Sequence, residues 1–188
     1  MGAAEEAIAV AERNGFPWPL EFSRFFQGWV RCVDGDADTG VAAMLDATKH
    51  PSMANRRPYM LGVIASVQIE EGQLNAALSS LEGALTTSKT LAVAFYDAEI
   101  FRLQGRLQAA TNGKASEENY KLALDVARRQ GAKFFEVRSA TDLARLWRDQ
   151  GKPQQAHELL APVYSWFTEG FDTRDLKEAK TLLDTLAA

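Results

Sequence analysis

The stretch from Leu143 to Val163, LARLWRDQGKPQQAHELLAPV, decides the fold. Leu143, Leu146 and Trp147 fall at i, i+3 and i+4 and make one apolar stripe, the spacing of a helix face. Gly151 interrupts the run. Beyond it Ala156, Leu159, Leu160 and Val163 make a second stripe of the same period. Two amphipathic helices joined by so short a turn must lie antiparallel and bury their stripes against each other and against further pairs. Ala144, seven residues before the glycine, is a small residue where the facing helix can approach.

The unit recurs along the chain. Glycine turns at Gly35, Gly72, Gly113 and Gly151 are separated by 37, 41 and 38 residues, and amphipathic runs flank each of them. Seven residues before three of these turns stand Gly28, Ala65 and Ala144; Gly105 takes that part eight residues before Gly113. Five residues after the turn come Gly40, Ala77 and Ala156, and four further on Met44, Leu81 and Leu160. Ala47, Ala84 and Val163 follow three later, and Ser116, Tyr120 and Ala123 keep the same mutual spacing in the third unit. Val, Ile and Thr are scattered among Ala, Leu, Glu, Arg and Gln, so strand signals are nearly absent. Self-similarity at this period marks a helical repeat array.

This small–large–small pattern resembles the tetratricopeptide repeat family, with Trp147 in the aromatic place of its unit. The glycine periods exceed the ~34 residues of a standard unit, so longer helices or loops are expected. The segment from Leu143 to Leu186, including ELLAPVYSWFTEGFDTRDLKEAKTLL, is similar to the C-terminal repeat region of large bacterial signalling proteins. Those proteins join a nucleotide-cyclase or DNA-binding domain to an ATPase and then to such repeats. The resemblance implies an all-α, tetratricopeptide-like antiparallel helix-pair superhelix (an α-solenoid, right-handed) of about nine or ten helices. It also implies a non-enzymatic protein–protein interaction or scaffold module in a bacterial signalling or regulatory system.

Residues 1–188 read as a single helical-repeat domain. Residues 3–14 form a second helix without a first, since Ala4, Ile8 and Ala11 keep the small–large–small spacing. Helix pairs are expected at 17–48, 55–88, 94–130 and 133–168, with a capping helix at 172–187. The unpaired first helix predicts either a weak homodimer through the N-terminal end or a loosely held segment. In the closing helix, Asp172 is the expected cap, Asp175 favours the first-turn dipole, and Phe171 and Leu176 are placed as a hydrophobic staple. Its stripe of Leu176, Ala179, Leu182, Leu183 and Leu186 should cover the last repeat. Pro162 predicts a kink or a fresh helical start near Ala161, whereas Pro17, Pro58 and Pro153 suit first turns.

Hydrophobic residues at 46% and charged ones at 24% fit a chain that buries a sizeable core. The net charge of −4 is uneven: residues 1–94 hold 7 Lys and Arg against 11 Asp and Glu, residues 95–188 hold 14 against 14. That balance argues against indiscriminate binding to nucleic acid or anionic membrane. Cys32 is the only cysteine, so the expected compartment is a reducing one, the cytoplasm. No apolar run approaches the ~20 residues of a membrane helix, and MGAAEEAIAV is acidic where a signal peptide needs basic residues.

No constellation names a reaction. Asp34, Asp36 and Asp38 alternate like calcium ligands, but Thr39 and Leu45 stand where glycine and glutamate are required. The GKAS run at Gly113 lacks the upstream glycine of a phosphate loop, Gln108 standing in its place. His50 and His157 have no partner at metal-ligand spacing, and Cys32 reads as a packing residue. The expectation is therefore no enzyme, no catalytic residue, no cofactor and no metal.

Binding is the remaining class. From Arg128 to Lys152 stand seven basic residues and three acidic ones, Glu136, Asp142 and Asp149, with Arg138–Asp142 and Arg145–Asp149 at i, i+4. Inward residues of each first helix should recur 13, 10, 6 and 3 positions before the turn glycine. The first two units yield Phe22, Phe25, Trp29 and Cys32, then Tyr59, Gly62, Ser66 and Ile69. The third, counted from Gly105, yields Glu99, Arg102, Arg106 and Ala109, and the fourth Arg138, Thr141, Arg145 and Arg148. The expectation is a peptide-binding groove, aromatic at Phe22, Phe25, Trp29 and Tyr59 and basic at Arg102, Arg106, Arg138, Arg145 and Arg148. Its partner would be a protein or an acidic peptide with an apolar anchor. Charge reversal at Arg145 and Arg148 should abolish capture at nearly unchanged melting temperature. The alternative is a small-ligand or signal-peptide sensor, which a deep apolar pocket with convergent polar groups would favour.

Overall fold

The computed structural model describes residues 2–109 and 112–187; of Ala4, one of the small residues of the first helix, the side chain lies outside that description. Among the described residues there is no strand. The helices are α1 (Gly2–Asn14), α2 (Pro17–Val33), α3 (Ala37–Thr48), α4 (Arg57–Glu70), α5 (Leu74–Leu91), α6 (Asp97–Gln108), α7 (Gly113–Gln130), α8 (Lys133–Asp149), α9 (Pro153–Ser165) and α10 (Arg174–Leu186). The chain divides into two compact units, Met1–Tyr96 and Asp97–Ala188, and within each unit consecutive helices pack against one another.

In the first unit, α2 turns into α3 at Gly35 and α4 into α5 at Gly72, with φ of +94° and +72°, a region costly for any residue with a Cβ. Gly28 and Gly40 face each other where α2 crosses α3. A Cβ built on Gly40 would stand 2.6 Å from the Gly28 carbonyl oxygen, so backbone meets backbone there. Around this crossing Phe25, Met44, Met53, Met60 and Ile64 are fully enclosed. A 3-10 turn over Pro51–Arg56, not anticipated from the sequence, links α3 to α4. The His50 ring caps it by accepting from the Ser52 amide at 3.2 Å.

In the second unit the equivalent close approach is Gly105, against which the Tyr120 ring packs. Leu143, Trp147, Leu160, Phe167, Leu176 and Leu182 share one core, so the stripes of α8, α9 and α10 meet as their periods require. Pro17, Pro58 and Pro153 each sit in a helix's first turn, where no amide hydrogen bond is lost.

Three local expectations are corrected. Gly113 is no turn glycine: it opens α7, behind an Asn112 side chain that accepts from the Ala115 amide at 3.1 Å. Asn outranks Gly as a helix cap because its oxygen satisfies an amide that glycine leaves bare. Of the two outcomes expected at Pro162, the fresh helical start does not occur, since α9 runs through it and ends three residues later at Ser165. The residue preceding α10 is Thr173 rather than Asp172, its hydroxyl bonded back to the Gly170 carbonyl at 2.7 Å. That shift moves Phe171 out of staple register, and its ring, 45% exposed, packs on Tyr164 instead.

Candidate functional site

The candidate groups lie on the first helices, α2 and α4 in one unit, α6 and α8 in the other. On the first unit, residues at i, i+4 and i+8 of α2 bring Trp18, Phe22 and Phe26 to one face. Trp18 stacks on Phe22 at 5.5 Å and Phe22 meets Phe26 edge-on at 4.9 Å. Phe22 also approaches Tyr59, which meets Tyr96 edge-on at 5.0 Å. The Arg56 guanidinium covers Trp18 at 4.5 Å, and burial pushes the Tyr59 phenol up. Phe25 is 0% exposed and belongs to the core, so it lines no surface. Trp29 is 40% exposed and is the most accessible of the four aromatics expected there.

On the second unit the arginines are tied into a ladder of carboxylates. Arg102 forks onto Glu99, donating Nε to Oε2 at 2.8 Å and Nη2 to Oε1 at 2.7 Å, and its Nη1 reaches the Asp142 carboxylate. Arg138 ion-pairs with Glu99 at 2.9 Å and with Asp175 at 3.5 Å. Arg145 bonds Asp142 at 3.0 Å and Glu178 at 2.7 Å, and Arg174 takes the other oxygen of Glu178 at 2.7 Å. Helical spacing explains the assembly: Glu99 and Arg102 share a face of α6, Arg138, Asp142 and Arg145 a face of α8, Asp175 and Glu178 a face of α10.

Burial sets the electrostatics. Glu99 is 1% exposed and Arg102 5%. Desolvation pushes the Glu99 carboxyl up, but the Arg102 fork and the charges of Arg102, Arg138 and Arg106 overcome it and hold the group below its ordinary value. Glu178 is lowered in the same way, burial being outweighed by Arg145 and Arg174. Desolvation opposes the charge on Arg102 too, yet Glu99 and Asp142 leave it more firmly protonated than a free arginine.

Several expectations change with this geometry. Arg102 is a core residue and offers nothing to a ligand. Arg145 bonds Asp142 instead of Asp149, which bonds Arg148 at 2.9 Å, and Arg138 turns to Glu99 and Asp175 instead of Asp142. Arg106 makes no hydrogen bond or ion pair among the described residues. Of the acids that neutralise the face, Asp142 was expected only beside Arg138 and Asp175 only as a first-turn residue, and Glu178 was missed; each pairs with an arginine of α8. Charge reversal at Arg145 would set a carboxylate against Asp142 and Glu178, so an unchanged melting temperature is no longer expected of it.

Outside these two faces, Cys32 is half-buried, its Sγ donating to the Gly28 carbonyl at 3.4 Å, and burial pushes the thiol up, away from nucleophilic character. No cluster of three metal-ligating side chains occurs among the described residues. No described helix is long and apolar enough to cross a membrane.

No protein-family model and no curated protein matches the chain. Among solved structures, it is similar to the nearly identical TPR-like repeats of a Podosopora anserina protein described as a kinesin light chain. That match has 17% identity and a TM-score of 0.65, and it covers 90% of this chain and 86% of the other. A single-residue variant of the same repeats matches at 17% identity and 0.66 over 90% and 85%. The fold is TPR-like. At this identity the likeness speaks for the helix-pair architecture, and the ladder of Glu99, Arg102 and Asp142 stands on this chain's own residues.

Proposed function

We propose that this chain is a non-enzymatic protein-interaction module that binds an acidic peptide on the first-helix face of its second unit, in a bacterial signalling or regulatory system. TPR-like folds generally serve protein–protein contact through the exposed faces of stacked helices. One observation carries the reading: Arg138 and Arg145 are 31% and 37% exposed while buried or half-buried carboxylates hold their guanidinium planes in place. An incoming carboxylate meets the remaining N–H donors of guanidinium planes already oriented, with little side-chain entropy left to lose. Arg106, with no hydrogen bond or ion pair among the described residues, adds charge to the same face. The aromatic face of the first unit offers an apolar contact surface of its own. The α8–α10 cleft, ≈ 260 Å³, opens to solvent, as an exposed peptide site requires.

The test is fluorescence anisotropy with a short labelled peptide rich in glutamate and carrying one leucine. Binding should weaken as salt rises, and Arg106→Glu should weaken it about tenfold. No binding, or equal binding by the variant, would sink the proposal. At the other end, Val10 and Phe16 are 44% and 54% exposed beside the α1–α2 cleft, which supports weak self-association through α1. Sedimentation equilibrium should show a concentration-dependent dimer that Val10→Glu abolishes; a monomer throughout would reject this part.

A further inference from the structure

The cleft between α8 and α10, ≈ 260 Å³, is lined by Arg145 and Arg148 on one bank and by Lys177, Thr181 and Thr185 on the other, with Leu182 at its base. Three cations line it with one carboxylate, Glu178, whose two oxygens are already taken by Arg145 and Arg174, while Asp142 and Asp149, outside the lining, pair with Arg145 and Arg148. One of the cations is unpaired and a second is only weakly held. The Lys177 ammonium makes no ion pair or hydrogen bond among the described residues. Arg148 bonds only its chain neighbour Asp149, through Nε and Nη2, an exposed pair of small worth. The hydroxyls of Thr181 and Thr185 donate to the carbonyls of Lys177 and Leu182 and keep their acceptor sites, and a rotation of either releases a donor.

We propose that this cleft receives a phosphorylated side chain of the bound peptide. The inference deepens the acidic-peptide reading and rests on it. A phosphate monoester brings a charge of about −1.5 to −2 and three acceptor oxygens. One unpaired ammonium, one guanidinium held only by an exposed neighbour and two rotatable hydroxyls match that better than they match a carboxylate, with its one charge and two oxygens. Arg145 is already immobilised by Asp142 and Glu178, so the site's basic wall is formed before any ligand arrives. The row Lys177, Thr181, Thr185 extends ~12 Å at 1.5 Å per residue. That length exceeds a phosphate group and leaves room for the residues flanking it, with Leu182 as an apolar contact, so the geometry points to a peptide-borne phosphate over free phosphate.

The experiment titrates the full chain with three labelled peptides of one sequence, differing only in serine, glutamate or phosphoserine at the central position, and competes each with inorganic phosphate. The phosphoserine form should bind at least tenfold tighter than the serine form and several-fold tighter than the glutamate form. Arg148→Gln/Lys177→Gln should remove that preference while leaving the melting temperature unchanged, because neither side chain enters the buried ladder. Single variants at each position serve if the double variant misfolds. Equal binding of all three peptides, or a preference that survives the variants, overturns the proposal while the acidic-peptide reading stands. Competition by millimolar phosphate with no preference among peptides would mark a free-phosphate site and also overturns it. Failure of the glutamate form together with insensitivity to Arg106→Glu would instead remove the broader reading.

Discussion

Gly40→Ala isolates the contact that lets the first unit close. A Cβ at Gly40 would lie 2.4 Å from Cys32 Sγ, 2.6 Å from the Gly28 carbonyl oxygen and 2.9 Å from the Cys32 amide nitrogen. Two of those atoms are backbone, so no side-chain rotation relieves the overlap and α3 must move off α2. Overpacking of this kind costs about 1–3 kcal/mol, and the backbone contacts place it at the upper end. Replacing glycine by alanine inside a helix returns about 1 kcal/mol of propensity. The net loss is therefore about 2 kcal/mol. Gly83→Ala is the matched control: it has the same propensity gain, and its nearest foreign atom, Leu61 Cδ1, lies at an ordinary 3.5 Å. It should stabilise by about 0.5–1 kcal/mol, opening a gap of about 3 kcal/mol between the two variants. Urea unfolding followed by amide exchange over residues 2–96 reads the effect without assuming that both units melt together. Adding Cys32→Ala to Gly40→Ala should recover only part of the loss, because the Gly28 oxygen remains. A Gly40→Ala chain as stable as the parent would refute the reasoning.

Two further outcomes follow from the charge ladder. Arg102→Met strands Glu99, 1% exposed, with Arg138 as its one remaining ion-pair partner in the ladder, and should cost about 3–5 kcal/mol by urea midpoint; the double change Glu99→Met/Arg102→Met should be milder, and the reverse order would reject a paired burial. Glu99, Glu136 and Glu178 are all held below the ordinary carboxylate value, so their contribution is complete above a pH of about 4.3 and is lost as pH falls through the lower folded values. Circular dichroism should show full helicity at pH 5 and acid unfolding below about 4; a stability that already declines between pH 7 and 5 would show that other groups govern it.

The repeat was legible because its signal is local. Helix periodicity needs only neighbours within seven residues, and the turns at Gly35, Gly72 and Gly151 announce a positive φ that few residues other than glycine tolerate. The small residues at Gly28, Gly40 and Gly105 were legible for the same reason: a helix pair with a fixed turn length dictates which positions face each other. Gly113 misled because a glycine alone does not distinguish a turn from the start of a helix, and Asn112 had already taken the capping role.

The charges behaved otherwise. Sequence spacing offers Arg138 a partner in Asp142, yet its bonds go to Glu99, 39 residues earlier, and to Asp175, 37 later. Arg145 likewise reaches Glu178 on α10. A helix surface presents several carboxylates within reach of one long arginine, and local pairs are worth only a few tenths of a kcal/mol. The choice among them is made by desolvation, which depends on what the neighbouring helix buries. Residue spacing by itself determined that this chain is a run of amphipathic helix pairs and where three of the pairs turn, at Gly35, Gly72 and Gly151. Which arginines became core, which stayed available at the α8–α10 cleft, and where the aromatic rings met one another were decided only when helices far apart in sequence excluded water between them.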